Sequence, residues 1–201
     1  MKPLNRTISL ALSLLLVGAA AHSNTVEELT KEQRIAEFAK LPVAERQKPE
    51  FFAMKLVAKD SAARVAAEPD RSKIKLAENE EILVFKQTKD GKPSKELLIV
   101  DKRPRINRTH IADTFALGDN NGWALSIKFT DVGGRLFGDV TTDAVGERLA
   151  MVVGGSLVLS APNINEPILG GSAVIGGGGL TGKDLTLIAS LFEEPKPAAP
   201  K

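Results

Sequence analysis

Two tight-turn signals set the strongest limit on what this chain can fold into. Asp90-Gly91 lies between the apolar-rich segments 81–87 and 95–101, and Gly154-Gly155 lies between 148–153 and 156–160. Glycine reaches the positive backbone angles that two-residue hairpin turns demand, so each pair predicts two strands running antiparallel. A parallel sheet is excluded wherever these pairs operate. Residues 123–129 alternate Trp123, Leu125, Ile127 and Phe129 with Ala124, Ser126 and Lys128, which predicts a half-buried strand. Residues 172–175 predict another, and Phe52, Met54 and Leu56 alternate within a strand over 51–58.

Helices are expected between these strands. Residues 24–41 read as a helix opened by a Thr25/Glu28 capping box and ended by Pro42. Thr130 or Asp131 caps a second, whose Val132, Leu136 and Val140 recur at i, i+4, i+8 beside Phe137 and Ala144. Gly133, Gly134 and Gly138 each cost that helix about 1 kcal/mol relative to alanine, so packing must hold it. Thr181 caps a last helix with Leu185, Ile188, Ala189 and Phe192 on its buried side. Residues 59–77 are charged and irregular and read as loop. The fold class is α+β: an antiparallel sheet with helices packed on one face, plus an N-terminal helix.

The first residues read as an export signal. Lys2 and Arg6 precede an apolar stretch over 8–21 that ends in Ala19, Ala20 and Ala21. That stretch is shorter than the roughly 20 residues of a spanning helix, so cleavage after Ala21 or Ser23 is expected, with retention as a membrane anchor the alternative. The mature chain then resides in a periplasm or outside the cell. Without residues 1–23 the formal charge falls from +2 to zero, and neither nucleic acid nor a strongly anionic surface is implied as a partner. The chain has no cysteine, so a single core holds it without disulfides. Four divisions follow: 1–23 signal peptide, 24–80 N-terminal helix, linker and strand, 81–192 an α+β domain, and 193–201 a disordered proline-rich tail.

No residues are spaced as an active site. Gly177, Gly179 and Gly182 fit G-x-G-x-x-G, and Gly177 to Lys183 fits the start of a phosphate-binding loop. Asp184 stands where that loop needs a hydroxyl, and its charge would repel phosphate. His110 is the one histidine clear of the cleavage site, too few for zinc. Ser156 and Ser172 complete no G-x-S-x-G. An enzyme, a cofactor and a metal are therefore not expected.

The segments from Phe129 onward carry a resemblance. Asp131, Gly134 and Phe137 are followed by Gly146-Glu147-Arg148-Leu149-Ala150, by Ser160-Ala161-Pro162-Asn163-Ile164, and by Gly170-Gly171-Ser172-Ala173-Val174-Ile175. This series resembles the head part of the first periplasmic domain of SecD, an accessory subunit of the Sec protein translocase. The similarity spans residues 81–192, and 51–57 more weakly resembles the strand that opens that domain. It implies a non-catalytic periplasmic module whose partners are unfolded or translocating polypeptide or Sec-type envelope proteins. Membrane association would come only through a partner or an uncleaved leader. Proton-coupled pulling is not implied, because a proline-rich tail follows Phe192 in place of transmembrane helices. A structural envelope module without a client is the alternative, and an exposed apolar patch would tell against it. Ile164, Ile168 and Leu169 are the candidate polypeptide contacts. They lie in a connection between strands, where apolar side chains either tuck into the core or offer a contact site.

Overall fold

The computed structural model describes residues 29–89, 92–119, 122–176 and 180–193. The leader reading, the Thr25/Glu28 box, the Asp90-Gly91 turn, most of the glycine run and residues 194–201 lie outside these. In chain order the elements are α1 (Lys31–Ala39), α2 (Val43–Arg46), β1 (Phe52–Leu56), α3 (Ser61–Ala67), β2 (Glu80–Lys89) and β3 (Lys92–Asp101). There follow β4 (Ile106–Asn107), β5 (Ile111–Asp119), β6 (Gly122–Phe129), α4 (Asp131–Asp143), β7 (Leu149–Val153), β8 (Leu157–Ser160), β9 (Ser172–Gly176) and α5 (Gly182–Ser190). Among the described residues no helix is long and apolar enough to cross a membrane.

All strand pairing is antiparallel, as the turn signals demand, and it is divided among three sheets: β4-β1-β7-β8, β2-β3 and β5-β6-β9. Gly154 and Gly155 turn β7 into β8 at φ of 57° and 71°. β1 and β7 alternate between two cores. Phe52, Met54, Met151 and Val153 point into the larger one, with Leu125 and Ile127 of β6, Phe137 of α4 and Ile188 of α5. Ile35 of α1 joins them, so α1, α4 and α5 all bury apolar residues on this one side of the four-stranded sheet. Ala53, Ala150 and Val152 point the other way, under Leu83, Phe85, Leu98 and Val100 of the β2-β3 hairpin. The apolar area removed from water on both faces, at about 25 cal/mol per Å², holds the layers together.

Four expectations change. The first helix opens at Lys31, where Thr30 and Gln33 form the capping box, and not at the start of 24–41. Residues 59–77 contain α3 and a 3-10 turn at Arg71–Lys73 rather than loop alone. α3 has no apolar stripe and is held instead by polar contacts: the Ile99 N–H donates to Ser61 Oγ at 2.9 Å, and Arg64 bonds both carboxylate oxygens of Glu80. β5 is a strand where none was expected. Its Thr114 points inward, donating to the Ala189 carbonyl at 3.1 Å, while Phe115 and Leu117 point outward, so its apolar pattern is reversed. The buried face of α4 is rotated from the expected stripe: Val132 is 57% exposed, Leu136 is half-buried, and Gly133, Phe137, Val140, Thr141 and Ala144 face inward. Glycine and threonine on that face hide it from a reading by apolar spacing.

Candidate functional site

The connection from β8 to β9 leads to a cleft of about 240 Å³ beside the β9 edge. β9 is the last strand of its sheet. β6 pairs with one side of it, and its other side has no strand partner among the described residues. Met54, Phe137 and Met151 from the larger core reach the cleft floor, and Ile168 and Ala173 line its rim.

The three candidate contacts do not share one environment. Ile164 is 4% exposed and belongs to the core, fixed by backbone hydrogen bonds in which it donates to Glu147 O and accepts from Gly146 N, both at 2.8 Å. Ile168 is 38% exposed and Leu169 75%. The backbone at Ile168 is pinned by its N–H donating to Thr141 Oγ1 at 2.9 Å. Thr141 is fully buried, and its own hydroxyl donates to the Phe137 carbonyl at 2.9 Å. Thr141→Val keeps the shape of this side chain and removes the acceptor. It is expected to cost about 1–3 kcal/mol, the penalty for an unmade buried hydrogen bond, and chemical denaturation reads it directly.

Spacing alone singled out neither Thr141 nor Val174 as part of this site. Val174 is 65% exposed on the outer face of β9. The strand register sets it in a row with Ser126 and Phe115, so small Ser126 lies between two exposed apolar side chains. The β9 edge is thus flanked by apolar surface on the sheet's outer face and by the cleft on its inner one.

The other candidates have structural roles. Asp184 closes a capping box at the start of α5, where its carboxylate accepts from Thr181 N at 2.9 Å and from Thr181 Oγ1 at 2.6 Å. That carboxylate fills the helix end to which a phosphate would bind. His110 Nδ1 accepts from Asn107 N at 3.1 Å. Ser156 accepts from Arg34, and Ser172 begins β9. No cluster of three or more metal-ligating side chains occurs among the described residues.

Residues 80–189 match the family described as SecDF, P1 head subdomain. The chain belongs to this family. It is 42% identical over 81 residues to the protein translocase subunit SecD of Rickettsia bellii, covering 40% of this chain and 16% of that one. Against the SecD subunit of Magnetococcus marinus it is 36% identical over 102 residues, 50% of this chain and 19% of the relative. A crystal structure of SecDF in its super-membrane-facing form aligns with a TM-score of 0.48 at 21% identity, over 82% of this chain and 21% of that one. The chain therefore spans under a fifth of the length of these curated relatives. The SecD resemblance carried by residues 129–177 is thereby confirmed, and the residues lining the β9 cleft lie within the matched P1 head segment except Met54 of β1.

Proposed function

We propose that this P1 head-like chain is a non-catalytic binding module of protein translocation that holds extended polypeptide along the edge of β9. The observation that carries the reading is the β9 edge, which has no strand partner among the described residues, beside a cleft rimmed by exposed Ile168. An extended segment gains main-chain hydrogen bonds from such an edge, and alternate side chains then enter the cleft or lie over Val174. Main-chain pairing is indifferent to sequence, as a module meeting many clients requires. The naming of relatives as protein translocase subunits supports the same class of partner. The leader-like residues 1–23 support a periplasmic setting. The exposed apolar residues along β5 and β9 weigh against a purely structural module.

Binding is expected to be micromolar or weaker, because ordering a flexible client offsets much of the contact energy. The measurement is a titration of a permanently unfolded, carboxymethylated polypeptide against the wild type, Ile168→Ser and Leu169→Ser. Both side chains are exposed enough for the variants to fold, which circular dichroism checks. Affinity is expected to drop by about tenfold as apolar contact area is lost. Equal binding by folded variants, or no binding by wild type, would remove the cleft from consideration.

A further inference from the structure

The strand ladder fixes which backbone groups of β9 face its open edge. β6 and β9 pair in register from Ala124↔Gly176 to Lys128↔Ser172, and just beyond this run the Phe129 N–H donates to the Gly171 carbonyl at 3.0 Å. In an antiparallel pair, hydrogen-bonded residues alternate with residues whose N–H and C=O point away from the partner. Gly171, Ala173 and Ile175 therefore direct their backbone groups to β6. Ser172, Val174 and Gly176 direct theirs to the open edge, and all three residues are exposed. One residue past Phe129, the Thr130 N–H bonds the His110 carbonyl beside β5, as the same alternation requires.

Side chains alternate in the same phase. Those of Ser172 and Val174 lie on the outer face, whereas Ala173 and Ile175 turn inward, where both line the cleft. A client residue opposite Ala173 in an antiparallel strand thus sends its side chain into the cleft and makes no main-chain bond to β9. The residues before and after it, opposite Val174 and Ser172, make those bonds. Ala173 is small, and the two members of such a non-bonded pair stand close, so a large side chain passes over it to the floor. Met54 and Met151 on that floor are unbranched and polarizable and adapt to several apolar shapes. Glu166 is the one charged side chain lining the cleft among the described residues, and it opposes an entering carboxylate.

We infer that the β9 site takes its client antiparallel and in one phase: a large apolar residue opposite Ala173, flanked on both sides by residues with a free N–H. This rests on the reading of β9 as a polypeptide-binding edge. Antiparallel pairing is the more stable per residue, and the described strands use it throughout. Leucine, methionine or phenylalanine suits the entering position, and aspartate and glutamate do not. Proline, which has no N–H, is excluded from the two flanking positions. A parallel client would reverse the phase, with the entering residue itself bonded to β9.

The test modifies the client, so the folding of the chain is not at stake. The full chain, labelled with nitrogen-15, is titrated with short peptides of alternating serine and threonine carrying one central leucine. The amide shifts of Ser172, Val174 and Gly176 report binding. N-methylation of either residue flanking the leucine is expected to weaken binding about tenfold, whereas N-methylation of the leucine itself should change it by less than about twofold. Aspartate in place of the leucine is expected to weaken binding about tenfold or more. A loss confined to the peptide methylated at leucine would overturn the antiparallel phase and leave the β9 edge as the binding site. Equal losses at all three positions, equal binding of the leucine and aspartate peptides, or binding of carboxymethylated polypeptide at β9 without binding of the leucine peptide would overturn this inference alone. Binding indifferent to every N-methyl group, or no shift of the β9 amides by peptide or polypeptide, would overturn the edge reading and this inference with it.

Discussion

Phe137→Ala is expected to lower the folding free energy by about 3–5 kcal/mol, while Leu136→Ala beside it costs about 1–2. Apolar spacing alone centres the stripe of α4 on Leu136, and a buried leucine there would cost 2–5 kcal/mol. The structure moves that burden by one residue. Phe137 is 3% exposed, with its ring 4.6 Å from that of Phe129, so truncation leaves a cavity in the larger core. Leu136 is only half-buried, and solvent or neighbouring chain can fill the space its removal leaves. Denaturant titration at constant m-value measures both. For a domain of this size the first change corresponds to a melting point lower by roughly 10 °C. Equal losses at the two positions would put the buried face of α4 in the wrong place.

Gly133→Ala is expected to destabilise by about 2 kcal/mol, against the direction of helix propensity. In a free helix the change gains about 1 kcal/mol. Here an added Cβ would lie 2.3 Å from the His110 carbonyl oxygen and 2.8 Å from His110 Cβ. The obstacle is backbone, and it cannot step aside locally. The Thr130 N–H already bonds the same carbonyl at 2.9 Å, tying the start of α4 to the turn at Arg108–His110. Overpacking of this kind costs about 1–3 kcal/mol and occasionally more, which exceeds the propensity gain. Gly138→Ala is the control. Its Cβ would meet the Leu169 Cδ2 methyl at 3.2 Å, the end of a largely exposed side chain that can rotate away. It should change stability by less than about 1 kcal/mol, so a similar loss at both positions would refute the backbone-contact explanation.

These glycines show where the sequence is legible and where it is not. Spacing counts Gly133 only as a weakness of the helix, because the close approach that requires it is a tertiary contact. The β2-β3 and β7-β8 hairpins are readable because turn chemistry and strand pattern lie within twenty residues of each other. α5 is readable because Thr181 and Leu185 signal its cap and its buried side within one turn. β5 is hidden because Thr114 takes an inward place through a hydrogen bond to a helix seventy-five residues away. α3 is hidden because Ser61 and Arg64 hold it by polar contacts to β3 and Glu80. At the cleft, the apolar residues of the connection stand out by composition. What separates buried Ile164 from exposed Leu169 is bonding to Glu147 and Gly146, which no local pattern encodes.

β1 lies between β4 and β7, yet β7 follows it in the chain only after five other strands. Joining Leu56 to Leu149 closes a loop of about ninety residues, an ordering cost on the order of 4 kcal/mol before the contact returns anything. The β2-β3 and β5-β6 hairpins can form as soon as their own residues meet, whereas this seam waits for a distant stretch of chain. A polypeptide cut to residues 80–189 would lack the strand between β4 and β7, and both would present bare backbone edges at the centre of the sheet. Such edges recruit strands from other molecules, so the excised piece should self-associate more readily than the longer chain. The early strand works as a keystone: first in the sequence among the strands, and among the last to be locked in place.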